Sequence, residues 1–261
     1  MKYGFIGCGN MGGSIAKALS KSTKNIVLSD PTEKAKLLAE ELGCTCGDNE
    51  TVISTCGCVF LAVKPQVMAD VLAPLQSLFQ KHKPLVVSMA AGITVERIEK
   101  LIGTSLPVIR IMPNTPVAVN SGMILYCHNT LVNDDTLNTF LQEATPCGQW
   151  DKLDEELIDA AGVVSGCGPA YMYMFMDALA EGALTCGVPK NKALMYAAAT
   201  MIGAAKMVQQ DGRTPVELKN AVCSPGGSTL AGVKVFDDNN FDKIVADCVK
   251  AAYRRNQELG K

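Results

Sequence analysis

The 261-residue chain has few histidines, few aromatic residues and no long apolar segment. With only His82 and His128 present, little is available for a histidine-rich metal site or for histidine acid–base catalysis. Since a run of about 18 apolar residues is lacking, we expect no membrane span. The net charge of −2, without a basic stripe, argues against nucleic acid as a partner. Hydrophobic residues nevertheless make up 48% of the chain, enough for a sizeable core.

The eleven cysteines are scattered rather than spaced like metal ligands. Two C-x-C pairs occur, Cys44/Cys46 and Cys56/Cys58, whereas a zinc site typically uses C-x2-C pairs or nearby histidines. We therefore expect no metal and interpret the cysteines as small buried hydrophobes in a reducing cytoplasm. The first residues, 1–6, lead directly into a glycine-rich motif, so no export or targeting segment is expected.

Strand and helix patterns alternate over residues 1–152, which predicts βαβ units and a parallel sheet. The predicted strands are 2–7, 25–30, 58–63, 85–89, 108–112, 123–127 and 149–152. The predicted helices between them are 11–21, 32–42, 67–79, 94–102 and 134–144.

The strand signal then stops, and residues 153–261 predict an all-α second domain. Its predicted helices are 155–163, 169–186, 191–210, 215–222, 228–236 and 241–259. The stretches 169–186 and 194–208 are apolar on nearly all sides, so they must be enclosed on all sides. A domain of this size has too few other helices to enclose both, which predicts at least a homodimer built through it.

The motif Gly7-Cys8-Gly9-Asn10-Met11-Gly12 is a G-x-G-x-x-G sequence between a predicted strand and a predicted helix. In a dinucleotide site, the first glycine makes a tight turn and the second lets the backbone approach the pyrophosphate. The third lets helix and strand pack closely. We therefore expect an N-terminal Rossmann-type domain that binds NADH or NADPH.

Ser29 and Asp30 end the second predicted strand. An acidic residue here accepts a hydrogen bond from the ribose 2′-hydroxyl and repels a 2′-phosphate, which favours NADH. Two alternatives stay open. Asp30 can instead cap the next helix, and Ser29, Thr32 and Lys34 can hold a phosphate if Asp30 turns away.

Further loops follow the strands at the edge where ligands bind in open α/β sheets. The segment 112–116 follows the fifth strand, where we expect the nicotinamide. The predicted cofactor-binding residues are Ile6, Gly7, Cys8, Gly9, Asn10, Met11, Gly12, Ser29, Asp30, Ala62, Val63, Lys64, Pro65, Ala90, Ala91, Gly92 and Asn114.

The run Ser224-Pro225-Gly226-Gly227-Ser228-Thr229 precedes a predicted helix in the second half. Backbone N–H groups at such a turn, together with the helix dipole, form a seat for a small carboxylate. The simpler interpretation is a helix cap after a Ser-Pro-Gly-Gly turn. Residues 165–171 form a second glycine-rich segment, which is typical of a helix start with an early proline.

Together these segments resemble the pyrroline-5-carboxylate reductase family, nearly end to end. The resemblance is carried by residues 4–12, 60–66, 88–92, 110–116, 165–171, 177–182, 203–207 and 222–237. The early motifs are shared with related dehydrogenases. The loop 224–229 with Gly232, Val233 and Asp237 is far more specific.

The resemblance implies a reductase that transfers hydride from NAD(P)H to the imine carbon of L-1-pyrroline-5-carboxylate, which gives proline. It implies that the backbone of Gly226, Gly227, Ser228 and Thr229 holds the substrate carboxylate, and that the Thr229 hydroxyl contacts the imine nitrogen. It also implies intertwined dimers that assemble further, for example into decamers. One departure concerns Ala221, where family members often carry Asn or Gln.

Two rival functions are weighed against this one. A β-hydroxyacid dehydrogenase-like reductase also joins a Rossmann-type domain to helices and uses a lysine on a long helix, which Lys206 matches. That rival leaves the loop 224–229 unexplained. A non-enzymatic nucleotide sensor is the other rival, but it would need only the first domain.

Overall fold

A computed structural model describes residues 1–259, which form two compact units. The first comprises Met1–Cys167 with the described residues from Tyr253 onward, and the second comprises Gly168–Ala252. The predicted domain boundary near residue 153 stays a prediction of how the chain is organised.

The first unit contains an eight-stranded sheet of order β3-β2-β1-β4-β5-β6-β7-β8. Its strands are β1 (Tyr3–Ile6), β2 (Ile26–Ser29), β3 (Thr45–Cys46), β4 (Cys58–Leu61), β5 (Leu85–Ser88), β6 (Val108–Met112), β7 (Gly122–His128) and β8 (Gly148–Lys152). Strands β1–β6 run parallel, β7 pairs antiparallel with β6, and β8 runs parallel to β7. This is the expected Rossmann-type architecture in a mixed rather than purely parallel sheet.

Helices connect the strands. They are α1 (Asn10–Leu19), α2 (Lys34–Leu42), α3 (Asn49–Thr55), α4 (Pro65–Leu72), α5 (Gln76–His82), α6 (Val95–Ile102), α7 (Asp134–Glu143) and α8 (Glu155–Gly162). Short 3₁₀ turns lie at Ala73–Leu75, Thr115–Val119 and Thr145–Cys147. A π turn at Val163–Cys167 follows α8 directly.

The core of this unit lies on both faces of the sheet. Strands β1, β2, β4 and β5 are buried along their whole length because helices cover both sides. On one face Phe5 stacks on Phe60 with ring centroids 4.4 Å apart, and Phe140 joins them. The other face is filled mainly by aliphatic side chains, including Ile53 and Leu61, together with Phe79.

Four elements differ from the sequence-based expectation. The short strand β3 and helix α3 were not predicted, because residues 44–55 are mostly polar and each element is brief. The predicted helix 67–79 is instead two helices separated by a 3₁₀ turn at Pro74, since proline lacks the N–H that would continue the ladder. The segment 165–171 is not a fresh helix start, because the chain passes from α8 through the π turn into the next helix.

The second unit is helical throughout. Its helices are α9 (Gly168–Thr185), α10 (Lys190–Gln210), α11 (Pro215–Val222), α12 (Ser228–Asp238) and α13 (Phe241–Leu259), the last of which continues beyond the unit. Helices α9 and α10 pack against each other, and the turn that connects them contains Gly187 (φ +89°). Thr214 and Glu217 form a capping box that starts α11.

The second unit has hardly any buried core. Among its residues only Ala180, Ala193 and Ala197 are buried, whereas large apolar side chains along α9 and α10 are exposed. Met174, for example, is 71% exposed. Within residues 1–259, no helix is both long and apolar enough to cross a bilayer.

Candidate active site

The three glycines of the first motif occupy three different environments. Gly7 has a φ of +101°, and a Cβ there would lie 2.7 Å from the Ala62 carbonyl oxygen. A Cβ on Gly12 would lie 2.5 Å from the Gly7 carbonyl oxygen, so α1 starts in close contact with the loop. At Gly9, by contrast, no described heavy atom lies within 4 Å of such a Cβ. The loop is therefore tight at Gly7 and Gly12 and open at Gly9, as dinucleotide binding requires.

The start of helix α1 is suited to a phosphate. Gly9 is extended at the N-cap, and no side chain within residues 1–259 caps the first N–H groups. The first turn, residues 10–13, contains no acidic residue. Unpaired N–H groups and the helix dipole together attract an anion.

Asp30 braces the glycine loop. Its Oδ2 accepts a hydrogen bond from the Cys8 backbone N–H (2.8 Å), and its Oδ1 accepts from both the N–H (3.0 Å) and the hydroxyl (2.6 Å) of Thr32. A carboxylate has about four acceptor sites, so one on Oδ2 remains for a ribose hydroxyl. Asp30 thus points toward the loop, as a 2′-hydroxyl contact requires.

The electrostatics of the loop follow from this arrangement. Partial burial raises the pKa of Asp30, but the hydrogen bonds from Thr32 and Cys8 and the charge of Lys34 outweigh it, so the pKa is lowered. Burial and the neighbouring Asp30 charge raise the pKa of the Cys8 thiol to about 12. The loop therefore carries one firmly ionised carboxylate and one neutral thiol.

A cleft of about 440 Å³ opens beside the loop. The predicted residues Ile6, Gly7, Ser29, Asp30 and Val63 line it. Other lining residues were not predicted, among them Asp48, Asn49, Val67 and Val71. The Ser29 hydroxyl donates to Asn49 Oδ1 (2.7 Å), which fixes the Asn49 amide at the cleft wall. Asp48 and Asn49 were missed because the start of α3 was missed.

The next two loops bring small residues to the same edge of the sheet. Lys64 is extended at the N-cap of α4, and Pro65 begins that helix, where a missing N–H costs nothing. Ala90 is buried, while Gly92 turns the chain with a φ of +73°. These loops keep the backbone close to the cleft at the carboxyl ends of β4 and β5.

Strand β6 and the residues after it contact α8 and the π turn in a regular row. Arg110, 1% exposed, donates to Glu155 Oε1 (3.2 Å) and Asp159 Oδ1 (2.6 Å) of α8. Two residues on, Met112 lies against Gly162, where a Cβ would be 3.0 Å from Met112 Cγ. Two further on, Asn114 Nδ2 donates to the Ser165 carbonyl (2.9 Å). Alternate residues face one side of a strand, so β6 holds this helical segment along its length.

The Asn114 amide makes a second contact, because its Oδ1 accepts from the Met123 N–H (2.9 Å). The side chain is 8% exposed and is held at both ends by backbone partners. Asn114 was predicted to bind the cofactor. The structure shows that its side chain connects the end of β6 to β7 and to the π turn.

The second unit carries the other predicted loop. Gly226 has a φ of +72°, and Gly227 is extended at the N-cap of α12 with its N–H donated to the Ser224 carbonyl (3.0 Å). A Cβ on Gly227 would lie 2.4 Å from the Ser224 hydroxyl oxygen, so that side chain would have to move. Torsion therefore favours glycine at 226, and packing favours it at 227.

The hydroxyl groups at the start of α12 are available. Ser228 and Thr229 are exposed, and no residue in 1–259 hydrogen-bonds to either hydroxyl. No described side chain caps α12, and its first turn, residues 228–231, has no acidic residue. The loop thus presents free N–H groups and two hydroxyls, which together can hold a carboxylate.

The predicted residues divide between the units. All predicted cofactor residues lie in the first unit, and all predicted substrate residues lie in the second. Among residues 1–259, no group of His, Cys, Asp and Glu side chains is arranged to hold a metal ion. All eleven cysteines, each in the described chain, are free thiols.

Comparisons with known proteins bear on the family to which the chain belongs. A family described as pyrroline-5-carboxylate reductase dimerisation matches residues 155–259. A family described as NADP oxidoreductase, coenzyme F420-dependent, matches residues 2–92.

Relatives that match over their full length are named pyrroline-5-carboxylate reductase. Pyrroline-5-carboxylate reductase of Escherichia coli is 35% identical over 266 residues, covering 100% of this chain and 98% of that protein. The Coxiella burnetii enzyme structure is 32% identical with a TM-score of 0.90, covering 100% of this chain and 98% of its own. A Plasmodium falciparum pyrroline carboxylate reductase structure with NADP bound is 27% identical, with a TM-score of 0.90 and the same coverage. The chain belongs to the pyrroline-5-carboxylate reductase family.

Proposed function

We propose that this chain reduces L-1-pyrroline-5-carboxylate to L-proline with NADH or NADPH, the last step of proline biosynthesis. The observation that carries the proposal is the start of α12, where glycine torsions and an uncapped helix present N–H groups beside the Thr229 hydroxyl. This is a carboxylate seat with a hydroxyl next to it, as a cyclic imino acid needs. Family membership supports the same reaction.

The first unit fits a dinucleotide. The open space at Gly9, the uncapped start of α1 and the remaining acceptor site on Asp30 match a pyrophosphate and a ribose. When bound, the nicotinamide supplies a hydride to the imine carbon. NADP is bound in the Plasmodium relative. Because the Asp30 carboxylate disfavours a 2′-phosphate, we propose that this chain uses NADH at least as well as NADPH.

In the second unit, the loop 226–229 holds the substrate carboxylate at the positive end of the α12 dipole through the backbone N–H groups that remain free, since the Gly227 N–H is donated to the Ser224 carbonyl. The Thr229 hydroxyl forms a hydrogen bond with the imine nitrogen and orients the ring. A protonated imine carbon is already electrophilic, so positioning supplies most of the rate enhancement. No side-chain general base is needed, which agrees with the shortage of histidine.

The second unit also bears on assembly. It carries the family's dimerisation region, and its large apolar side chains are exposed in the single chain. We propose that two copies cover these side chains in a homodimer, and that dimers assemble further into a ring such as a decamer. A location in the cytoplasm remains a prediction, supported by the free thiols.

The direct test is to supply pyrroline-5-carboxylate together with NADH or NADPH and to monitor oxidation of the cofactor by its absorbance. Proline formation at the same rate is the expected result. Binding of NADH without turnover would instead favour the nucleotide sensor.

A Lys206→Ala variant separates the two reductase hypotheses. Lys206 is exposed on α10, and imine reduction should continue without it. A collapse of activity in this variant would favour the β-hydroxyacid dehydrogenase-like mechanism.

A further inference from the structure

The Ser165 carbonyl lies in the π turn and cannot make the hydrogen bond of a regular α-helix. In an α-helix this carbonyl would accept from the N–H of residue 169, but residue 169 is proline and has no N–H. The Asn114 amide donates to the Ser165 carbonyl instead (2.9 Å). An asparagine after β6 therefore donates to a carbonyl whose α-helical donor is removed by a proline in the following helix.

The same asparagine also determines where the loop after β6 lies. Its Oδ1 accepts from Met123 in β7, so the loop is tied at once to a neighbouring strand and to the π turn. Since β5 and β6 are parallel, this loop lies at the sheet edge where a dinucleotide binds. The close contact between Gly162 and Met112 presses the segment before the π turn onto the end of β6.

We infer that Asn114 is a positioning residue for hydride transfer, which rests on the proposed function. Its amide is held at both ends by backbone partners and acts through the loop that it holds. It holds the segment 112–116 at the carboxyl end of β6, where the nicotinamide is expected, by tying it to Ser165. Pro169 is the second half of this arrangement, because it removes the α-helical N–H that would compete with Asn114 for the Ser165 carbonyl.

Asn129 provides a matched control. It lies near the amino end of β6, and its amide is also tied to backbone groups, including the Leu106 carbonyl (2.7 Å) and the Val108 N–H (3.1 Å). Asn129→Ala removes comparable hydrogen bonds from the same strand at the edge away from the cofactor. We expect it to lower the melting temperature but to change kcat by less than about twofold.

The experiment measures wild type, Asn114→Ala and Asn129→Ala by steady-state kinetics, NADH fluorescence titration and thermal unfolding. For Asn114→Ala we expect kcat to fall at least about tenfold while the Kd for NADH changes less than threefold. With deuterated NADH the primary isotope effect should rise, because hydride transfer becomes more fully rate-limiting. Asn114→Asp, which keeps an acceptor for Met123, serves as a second variant if the alanine variant does not fold.

Pro169→Ala separates positioning from a purely structural role. It restores an N–H for the Ser165 carbonyl, so in the Asn114→Ala background it should recover part of the lost melting temperature. It should not recover kcat, since the loop after β6 remains untied.

Three results would overturn the inference. The first is an unchanged kcat in an Asn114 variant of an active enzyme, and the second is recovery of kcat together with stability in the double variant. The third is an NADH Kd that rises as much as kcat falls, which would mean a direct cofactor contact. An inactive wild type would refute the proposed function, and the thermal coupling between Asn114 and Pro169 would still test the structural pairing.

Discussion

Two glycine-rich helix starts, at α1 and at α12, share a design but differ in their support. Each has an extended glycine at the N-cap, no side-chain cap within the described chain and no acidic residue in the first turn. The loop before α1 belongs to a unit with a buried core, and Asp30 accepts a hydrogen bond from the Cys8 N–H in that loop. The loop before α12 is exposed, and the unit around it buries only three residues.

The difference indicates that the two proposed binding sites differ in whether a single chain is enough to support them. The first unit contains what a dinucleotide needs within one chain. The second unit presents a carboxylate seat on helices whose apolar side chains have no cover in that chain. We therefore expect cofactor binding to survive changes that abolish substrate turnover.

The strongest test of this comparison is to place a charge on the exposed apolar surface of α9. Met174→Asp should prevent association, because an unpaired polar group in an apolar interface costs roughly 2–7 kcal/mol and a charge costs more. Activity should fall more than about a hundredfold, while NADH still binds with a Kd within about threefold of wild type. Light scattering measures association, and NADH fluorescence measures cofactor binding.

Leu37→Asp is the matched control, since Leu37 is also apolar and 62% exposed but lies in the first unit. It should leave the mass of the assembly unchanged. A fully active single chain of 27.7 kDa in either variant would contradict the proposed dependence on a partner.

A cavity in the core of the first unit should act differently. Phe60 is fully buried and stacks on Phe5, so Phe60→Ala should lower the free energy of unfolding by about 3–5 kcal/mol. Phe236 in the second unit is 41% exposed, and Phe236→Ala should instead alter the concentration dependence of unfolding. Denaturant unfolding at two protein concentrations distinguishes the two effects, and identical behaviour would remove the contrast between the units.

The substrate seat itself is tested by Thr229→Val, which keeps the shape and removes the hydroxyl. A hydrogen bond to a charged group contributes about 1.5–3 kcal/mol, so kcat/KM should fall roughly ten- to hundredfold. Thr229→Ser keeps the hydroxyl and should retain most of the activity. NADH binding should stay constant in both variants, and an unchanged kcat/KM for Thr229→Val would exclude the hydroxyl from the mechanism.

The smallest expected effect concerns Asp30, beside the glycine loop that precedes α1. Asp30→Ser should shift preference toward NADPH by about 1–2 kcal/mol, the size of one like-charge contact near the surface. It also frees the Cys8 N–H, so the affinity for both cofactors should decrease. Competitive titration with NADH and NADPH measures the shift, and a wild type that strongly prefers NADPH would limit Asp30 to its structural role.

The ionisation of Asp30 should also make the stability of the folded chain depend on pH. Because the pKa of Asp30 is lowered in the folded chain, its stabilisation is fully present above the ordinary aspartate range. That stabilisation is lost as the pH falls through the lowered pKa. Asp30→Asn should weaken this acid dependence in thermal unfolding, whereas Asp48→Asn, at the N-cap of α3, should leave the Cys8 contact intact.

The sequence predicted the sheet well where strands are buried on both faces, since β1, β4 and β5 are continuous apolar runs. It could not predict that β7 runs antiparallel to β6, because apolar alternation does not encode direction. It missed β3, which is two residues long and exposed at the sheet edge. Length and burial thus decided which strands were predictable.

At the site, the glycine positions were predictable because each glycine answers a local steric demand, as at Gly7 and Gly12. The role of Asn114 was not, since it depends on Ser165, which lies 51 positions away. Asn49 was missed for a similar reason, because only the fold brings it to Ser29. One signal was present in the sequence, namely Pro169, which leaves a carbonyl in need of a donor.

The burial of Cys8 has a consequence for chemical modification. Because burial and Asp30 raise the pKa of Cys8 to about 12, its thiol stays neutral at neutral pH, and the thiolate is the form that reacts with electrophiles. Alkylating reagents and peroxides should therefore spare the pyrophosphate loop while attacking an exposed thiol such as Cys46. A cysteine in the middle of the G-x-G-x-x-G motif is in this way kept unreactive, so we expect the proposed cofactor binding to survive exposure to such reagents.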